Sequence, residues 1–378
     1  MRIGILTLPL HTNYGGILQA YALQQVLRGM GHEATVIDEE KQFHFSLKRR
    51  IEMYVKGKVK RLLQGKNAII YSPEYYKQLW TARTKHTSQF IAEHIIRRAV
   101  ADVSEITEGD FDAFIVGSDQ IWRARYAQPF PGIRNAFLLF TKDWKVKRVS
   151  YAASFGTGQW EYNRSETTDC AIMAKMFDAM SVREASGVTL CRKNLAVDAI
   201  TVIDPTLLLD PDKYIRLIKD NTPKSTGNLM CYVLDKGTDM ENILSDIAHK
   251  KTLKPFQTNS QTENQKLPLE KRIQPPVEQW LQGFRDADFV VTDSYHACIF
   301  SILFGKPFIA IGNKTRGMSR FESLLQTFGL EERLVHSFED YKRREESLLL
   351  PIDYKHVYRI LEEKRHDAID FLVNSLAN

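Results

Sequence analysis

Three short segments bring together side chains able to do chemistry. Asp293-Ser294-Tyr295-His296 follows the apolar run Asp288 to Thr292 and opens a helical stretch to Phe304, so an imidazole stands at a strand-to-helix turn. Imidazole is the side chain whose ordinary titration lies nearest neutrality, which suits His296 to general acid or base work. Beside Tyr295 and Cys298, it is equally suited to core packing. Gly117-Ser118-Asp119-Gln120-Ile121-Trp122 closes the run Phe111 to Val116 and offers Asp119 as a base or as a group that orients a hydroxyl. His11-Thr12-Asn13-Tyr14-Gly15-Gly16 joins an apolar run, Arg2 to Leu8, to a helical segment, Ile17 to Met30. The first N–H groups of that helix point at whatever occupies the turn, and an anion sits well there, with Asn13 and Tyr14 beside it.

The elements holding these turns read as α/β. Beyond the opening βαβ unit, which closes over Glu33 to Ile37 at Asp38, apolar strands at Phe111–Val116, Val149–Ala153, Ala179–Val182 and Ala199–Ile203 each finish in polar residues. These ends are Ser118, Asp119 and Gln120, then Ser154-Phe155-Gly156, then Arg183-Glu184, then Asp204-Pro205-Thr206. Strands that open onto polar residues at their carboxyl ends place a crevice along one edge of a parallel sheet. Ser72 to Ala99 reads as one aromatic-rich helix.

After Asp210-Pro211 a second α/β half begins: a strand at Leu229–Leu234, helices at Met240–Lys250 and Val277–Phe284, the strand into Asp293, and another at Phe308–Ile311. Pro223 to Gly227 reads as a hinge. The expected organisation is an N-terminal α/β domain over residues 1–222 and a C-terminal one over 223–350. A crossover helix over 351–378, with Val357, Ile360, Leu361, Ile369, Phe371 and Leu372 in register, packs back across both. Two Rossmann-like doubly wound domains facing a cleft resemble the B-type glycosyltransferase architecture.

Composition narrows the classes. At 378 residues and net charge +6 the chain reads as a soluble, two-domain protein, without the basic, aromatic-interleaved stripe of a nucleic-acid binder. Cys170, Cys191, Cys231 and Cys298 lack metal-ligand spacing, so reduced buried thiols in a cytoplasmic protein are expected, and no metal site. The turn after the first strand lacks Gly-x-Gly-x-x-Gly, which argues against a nicotinamide site although Asp38 lies at a suitable distance. One segment, residues 48–66, gathers Lys48, Arg49, Arg50, Lys56, Lys58, Lys60, Arg61 and Lys66 around apolar residues at helical spacing. It offers either a solvated surface helix, weakened by Gly57, or a peripheral contact with an anionic membrane face.

Taken in order, Asn13-Tyr14-Gly15-Gly16 with Leu18-Gln19-Ala20-Tyr21-Ala22-Leu23, Gly117 to Trp122, Ser154-Phe155-Gly156, Val182-Arg183-Glu184, Asp204-Pro205-Thr206 and Thr292 to His296 resemble the polysaccharide pyruvyl transferase family over residues 1 to about 330. The resemblance implies transfer of the enolpyruvyl unit of phosphoenolpyruvate onto two hydroxyls of a sugar, giving a pyruvate ketal and phosphate. The acceptor would belong to a cell-surface polysaccharide precursor, lipid-linked at the inner membrane face, and the only co-substrate would be phosphoenolpyruvate, with no bound cofactor.

Such a reaction needs cations and helix N-termini for two anions, an acid for the methylene carbon and a base for the hydroxyls. His296 is the expected acid and Asp119 the base or orienting group. Arg183, Ser294, Tyr295, Lys314 and Arg316 are assigned to the donor, with Arg320 beside that loop. Asn13, Tyr14, Gly15, Gly16, Ser118, Gln120, Trp122 and Ser154 are assigned to the acceptor and its anions.

The chain departs from the resemblance at Ser294, where better-understood branches carry the arginine of Arg-x-His. Serine makes no bidentate contact to an anion, so Arg183 or the Arg316 loop supplies that cation, or the donor differs. Two readings therefore stand beside the transferase: a nucleotide-sugar glycosyltransferase and a non-catalytic relative that binds glycan or phosphate.

Overall fold

The computed structural model describes the chain except residues 42, 44, 65–71, 127–131, 236, 263, 265, 266, 313–316 and 378, and except the side chains of residues 60, 63 and 64. Seven strands form the first sheet: β1 (Arg2–Leu6), β2 (Glu33–Glu39), β3 (Arg97–Val100), β4 (Ala113–Val116), β5 (Lys147–Ala153), β6 (Ala179–Val182) and β7 (Ile200–Thr201). Their order is β3-β2-β1-β4-β5-β6-β7, and every pairing is parallel. The helices of this part are α1 (Tyr14–Gly29), α2 (Leu47–Gln64), α3 (Pro73–His94), α4 (Arg164–Ala174), α5 (Ala185–Leu190) and α6 (Pro211–Ile215).

The second sheet is also all parallel, in the order β12-β11-β10-β8-β9, from β8 (Leu229–Tyr232), β9 (Pro255–Phe256), β10 (Phe289–Thr292), β11 (Phe308–Ile311) and β12 (Leu334–Val335). Around it lie α7 (Thr238–Lys250), α8 (Val277–Asp286), α9 (Tyr295–Leu303), α10 (Met318–Phe328) and α11 (Phe338–Leu348), and α12 (Tyr354–Leu376) ends the chain.

In each sheet strand order reverses at one place, between β1 and β4 and between β10 and β8. Connections leave such a point in opposite directions and open a crevice at the carboxyl ends of the strands. The residues beyond β1, β4, β8 and β10 are the His11–Gly16 turn, Gly117–Gln120, Val233–Asp235 and Asp293–His296. Three of these four segments, all but Val233–Asp235, are ones that the sequence marks as chemically active.

Aromatic packing joins the halves. Tyr14, wholly buried, lies 5.4 Å from Trp280 and 6.2 Å from Tyr232 by ring centroids, and its hydroxyl donates to the carbonyl of Pro275 at 2.7 Å. Phe300 of α9 packs on Tyr214 of α6 at 4.9 Å. From α12, Arg365 donates to the carbonyls of Leu207 and Leu209 at 2.6 and 2.8 Å, while the Tyr354 hydroxyl donates to the carbonyl of Lys306 at 2.5 Å. The last helix therefore grips both halves.

Two local expectations change. The aromatic segment after Ser72 is helical only to His94; Ile95 turns extended and Arg97–Val100 becomes an edge strand on β2. Arginine and alanine favour helix, but register with Val36–Glu39 overrides that preference, as tertiary pairing commonly does. Conversely, α2 runs through Gly57, which is buried. Asp38, a possible ribose partner by spacing, accepts from the Leu10 N–H at 3.0 Å and pairs with Arg97 at 2.8 Å. All four cysteines are free and buried, and among the described residues no helix is long and apolar enough to cross a membrane.

Arg365→Ala removes the charge-assisted donor to the Leu207 and Leu209 carbonyls and to Asp210 and loosens α12 from the first domain; we expect a loss of about 2 kcal/mol in urea unfolding. An unchanged midpoint and slope would show that the helix is held by its apolar face alone.

Candidate functional site

The two crevices meet in one cleft of about 930 Å³. Its first wall includes His11, Asn13, Asp119 and Gln120; the second includes Asp293–His296, the polar segment Gln257–Asn264 in part, Gln274 and Arg320. Two helices, α1 and α9, begin at this gap. Asn13 and Ser294, the residues preceding α1 and α9, form no side-chain cap, so the first-turn N–H groups keep their capacity for a ligand.

Gly15 and His296 approach each other closely across the gap. A Cβ at Gly15 would lie 2.1 Å from the imidazole Nδ1 and 2.2 Å from Cγ, so no other residue fits at that position without moving the ring. A similar contact occurs between Gly317, at φ +95°, and the Gly156 carbonyl, where a Cβ would stand 1.9 Å away. That contact seats α10, and with it Arg320, against the first domain.

Behind the cleft lies a buried charge cluster. Arg183, at the end of β6, donates to Asp204 at 2.8 Å and to Asp119 at 3.2 Å, and its guanidinium stacks 4.4 Å from the ring of Tyr295. Asp204 also accepts from the Ser118 hydroxyl at 3.2 Å and from Thr206 N–H and hydroxyl at 3.0 and 2.7 Å. Its Oδ2 faces His296 Nε2 at 3.6 Å, within ion-pair range and too long for a hydrogen bond. Arg320 stands 3.8 Å from Asp119 and 5.2 Å from the Tyr295 ring.

Burial opposes ionisation of Asp204, but facing His296, Arg183 and Thr206 outweigh it and hold its pKa well below the usual carboxylate range. For Asp119, burial is likewise outweighed, by Arg183, His296 and Arg320, and its pKa is lowered. Burial and the proximity of Arg183 bring the Arg320 guanidinium down to about 10, so it stays charged at neutral pH.

Of the residues singled out from sequence, His296, Asp119, Asn13, Gln120, Ser294 and Tyr295 line the cleft together, and Gly15 touches the histidine. Gly16 follows in the same turn, with a Cβ position 3.2 Å from Asn13 Nδ2. Others stand elsewhere. Arg183 is enclosed behind the wall by two carboxylates and a ring, where an incoming anion would have to displace them. Tyr14 turns into the interdomain core, Trp122 stacks on Phe137 at 4.5 Å, and the Ser154 hydroxyl donates to buried Glu184 at 3.0 Å. Ser118 supports Asp204 from below. Lys314 and Arg316 lie outside the described residues.

Sequence reasoning missed Gln19, whose amide donates to Thr7 and to the Gly16 carbonyl and accepts from the Ser118 N–H, tying the first turn to the second. A glutamine on the apolar face of a helix was the available signal. It also passed over the amide-rich wall of Asn259, Gln261 and Gln274. Among the described residues, Glu93, His94 and Glu278 approach one another closely enough to share a metal ion; none lines the cleft, and Lys219 already bridges the two glutamates at 2.7 and 3.3 Å.

The sequence profile of the polysaccharide pyruvyl transferase family matches residues 13–315. No curated protein sequence matches the chain. Among solved structures, the UDP-GlcNAc 2-epimerase from Neisseria meningitidis bound to UDP-GlcNAc is similar at TM-score 0.51 and 11% identity, covering 100% of this chain and 99% of that one. UGT89C1 from Arabidopsis thaliana, complexed with UDP-L-rhamnose, is similar at TM-score 0.50 and 10% identity, over 98% of both chains. At such identity the likeness speaks for the fold alone, which is the two-domain GT-B architecture.

Two outcomes follow from this geometry. Because Asp119 and Asp204 have folded-state pKa values below their unfolded ones, their stabilisation is complete above about pH 4 and is lost as pH falls through the folded values. Circular dichroism during urea unfolding should show stability falling from about pH 4 downward, and Asp204→Asn should lose about 3–5 kcal/mol at pH 7 by leaving Arg183 under-compensated. Gly15→Ala should cost about 1–3 kcal/mol and shift the His296 ring resonances in NMR spectra; unshifted resonances would contradict the contact.

Proposed function

The chain belongs to the polysaccharide pyruvyl transferase family, and from that premise we propose that it moves the enolpyruvyl unit of phosphoenolpyruvate onto two hydroxyls of one sugar. The product is a pyruvate ketal and inorganic phosphate. The observation that carries the reading is the pairing of His296 with an anion-receptive gap: the imidazole stands where the amino ends of α1 and α9 meet, beside Arg320.

In this reading the donor's carboxylate and phosphate lie against those helix ends and the Arg320 guanidinium, which supplies the cation absent at Ser294. Support comes from charge: among the described lining residues, Arg320 is the only arginine or lysine. The imidazolium of His296 delivers a proton to the donor's methylene carbon, which becomes a methyl group as C2 takes on oxocarbenium character. One sugar hydroxyl adds to C2. The C2–O bond to phosphate breaks, and the second hydroxyl closes the ketal. Of the two hydroxyl protons released, one restores the imidazolium and the other leaves with phosphate.

Asp119 orients the attacking hydroxyl. Its lowered pKa makes it a poor proton acceptor and a good fixed acceptor of a hydrogen bond. Arg183 and Asp204 act through their neighbours, holding Asp119 and the histidine ring in place. The acceptor enters along Asn13 and Gln120, with the amides of Asn259, Gln261 and Gln274 across the gap suited to sugar hydroxyls. We place the acceptor on a lipid carrier and the enzyme at the cytoplasmic face of the membrane.

Phosphate release should require phosphoenolpyruvate and a sugar acceptor together, tested with galactosides and N-acetylmannosaminides. His296→Ala should lower kcat by about 10²- to 10⁴-fold while leaving the circular dichroism spectrum intact. Arg320→Ala should raise the KM for phosphoenolpyruvate at least about tenfold, the loss of one charge-assisted contact. Full turnover by the histidine variant, or thermal stabilisation by nucleotide sugars and not by phosphoenolpyruvate, would overturn the reading.

A further inference from the structure

We infer that α2 is a docking helix for an anionic lipid bilayer, seated by an apolar face that the folded chain leaves open. Leu47, Ile51, Tyr54, Val55, Val59 and Leu62 of this helix are between 48% and 86% exposed. At about 100° per residue they fall within one arc of roughly 140°, a continuous stripe. Among the described side chains of the helix, only Met53 and Gly57 are buried, and they point nearly opposite to that arc. The helix is thus turned inside out relative to an ordinary surface helix, with its greasy side facing away from the protein.

Charge identifies the occupant. The helix carries seven basic residues and a single acid, Glu52, which pairs with Arg49 at 3.5 Å. Its net charge equals that of the whole 378-residue chain, +6, so the rest of the molecule is neutral on balance and the excess is concentrated here. Lys48 and Lys58 rise within the apolar arc and Arg50 and Arg61 border it, and Lys58 lies 4.9 Å over the Tyr54 ring. Apolar side chains interleaved with long cationic stems match the boundary between acyl chains and anionic headgroups, into which such stems reach. A second copy of the same helix would bring like charges together.

The placement suits access to the cleft. The α2 helix follows the carboxyl end of β2, the same sheet edge from which the His11–Gly16 turn arises. Between them lies an aromatic bridge: His11, on the cleft wall, is 5.7 Å from Trp80, which is 6.3 Å from Phe43 and 4.9 Å from the Lys41 ammonium. A bilayer against α2 therefore lies beside the cleft's N-terminal rim.

The inference does not depend on pyruvyl transfer, because vesicle binding needs neither donor nor acceptor. In co-sedimentation, the full chain should bind vesicles of 30% phosphatidylglycerol in phosphatidylcholine, fail to bind pure phosphatidylcholine, and release in 0.5 M NaCl. At about fivefold per cation, Lys56→Glu/Lys58→Glu/Arg61→Glu should weaken binding at least 100-fold. Ile51→Ser/Val55→Ser/Leu62→Ser should also abolish it, and both variants should keep wild-type melting temperatures and turnover of soluble acceptors. Wild-type protein left in the supernatant, or binding unaffected by either variant, would overturn the inference. So would a dimer in sedimentation velocity that the serine variant dissolves, which would assign the face to a second copy.

Discussion

The arrangement of the whole site depends on one desolvated guanidinium. Arg183 is almost fully enclosed, and a cation in such surroundings costs several kcal/mol unless carboxylates meet it with good geometry. Asp119 and Asp204 meet that need, and each comes from the carboxyl end of a different strand connection. Tyr295, from the other sheet, closes the remaining face. Three connections of the first domain and one of the second are thus fixed by a single charge, and His296, the next residue after Tyr295, takes its place against Asp204 as a result. Together with His296, which faces Asp204 and acts on Asp119, and with Arg320 beside Asp119, the same charge keeps both acids ionised while buried.

Glycine then sets how near the domains come. Without a side chain at Gly15 the imidazole can rest on the first turn of α1, and without one at Gly317 the α10 end can reach the Gly156 carbonyl. Charge draws the walls together, absent methyl groups permit the final approach, and Tyr14 fastens the two cores with a phenol bonded to the Pro275 carbonyl. The polar gap that survives between these contacts is where ligand chemistry has room.

Much of this was readable in the sequence, and the failures have physical causes. Strands with apolar bodies and polar ends announce a parallel sheet and its active edge, because periodicity and turn composition are local properties. Long helices such as Tyr354–Leu376 show themselves in the same way. What the sequence does not encode locally is the direction in which a polar end points. Arg183 and His296 both lie just beyond the carboxyl end of a strand, yet one is locked beneath the wall and the other lines it. Tyr14 and Asn13 are adjacent, but one turns to the core and the other to solvent. The edge strand at Arg97–Val100 was invisible for a related reason: its conformation comes from a neighbour sixty residues earlier. The two-residue strands β9 and β12 are too short to leave a periodic signal.

The terminal helix adds a mechanical consequence. The polypeptide leaves the first domain after α6, builds the second, and comes home through α12, whose Arg365 holds the Leu207 and Leu209 carbonyls while Tyr354 holds that of Lys306. Two lobes tied at two separate places keep one easy relative motion, rotation about the line joining the ties, and any other displacement strains one tie or the other.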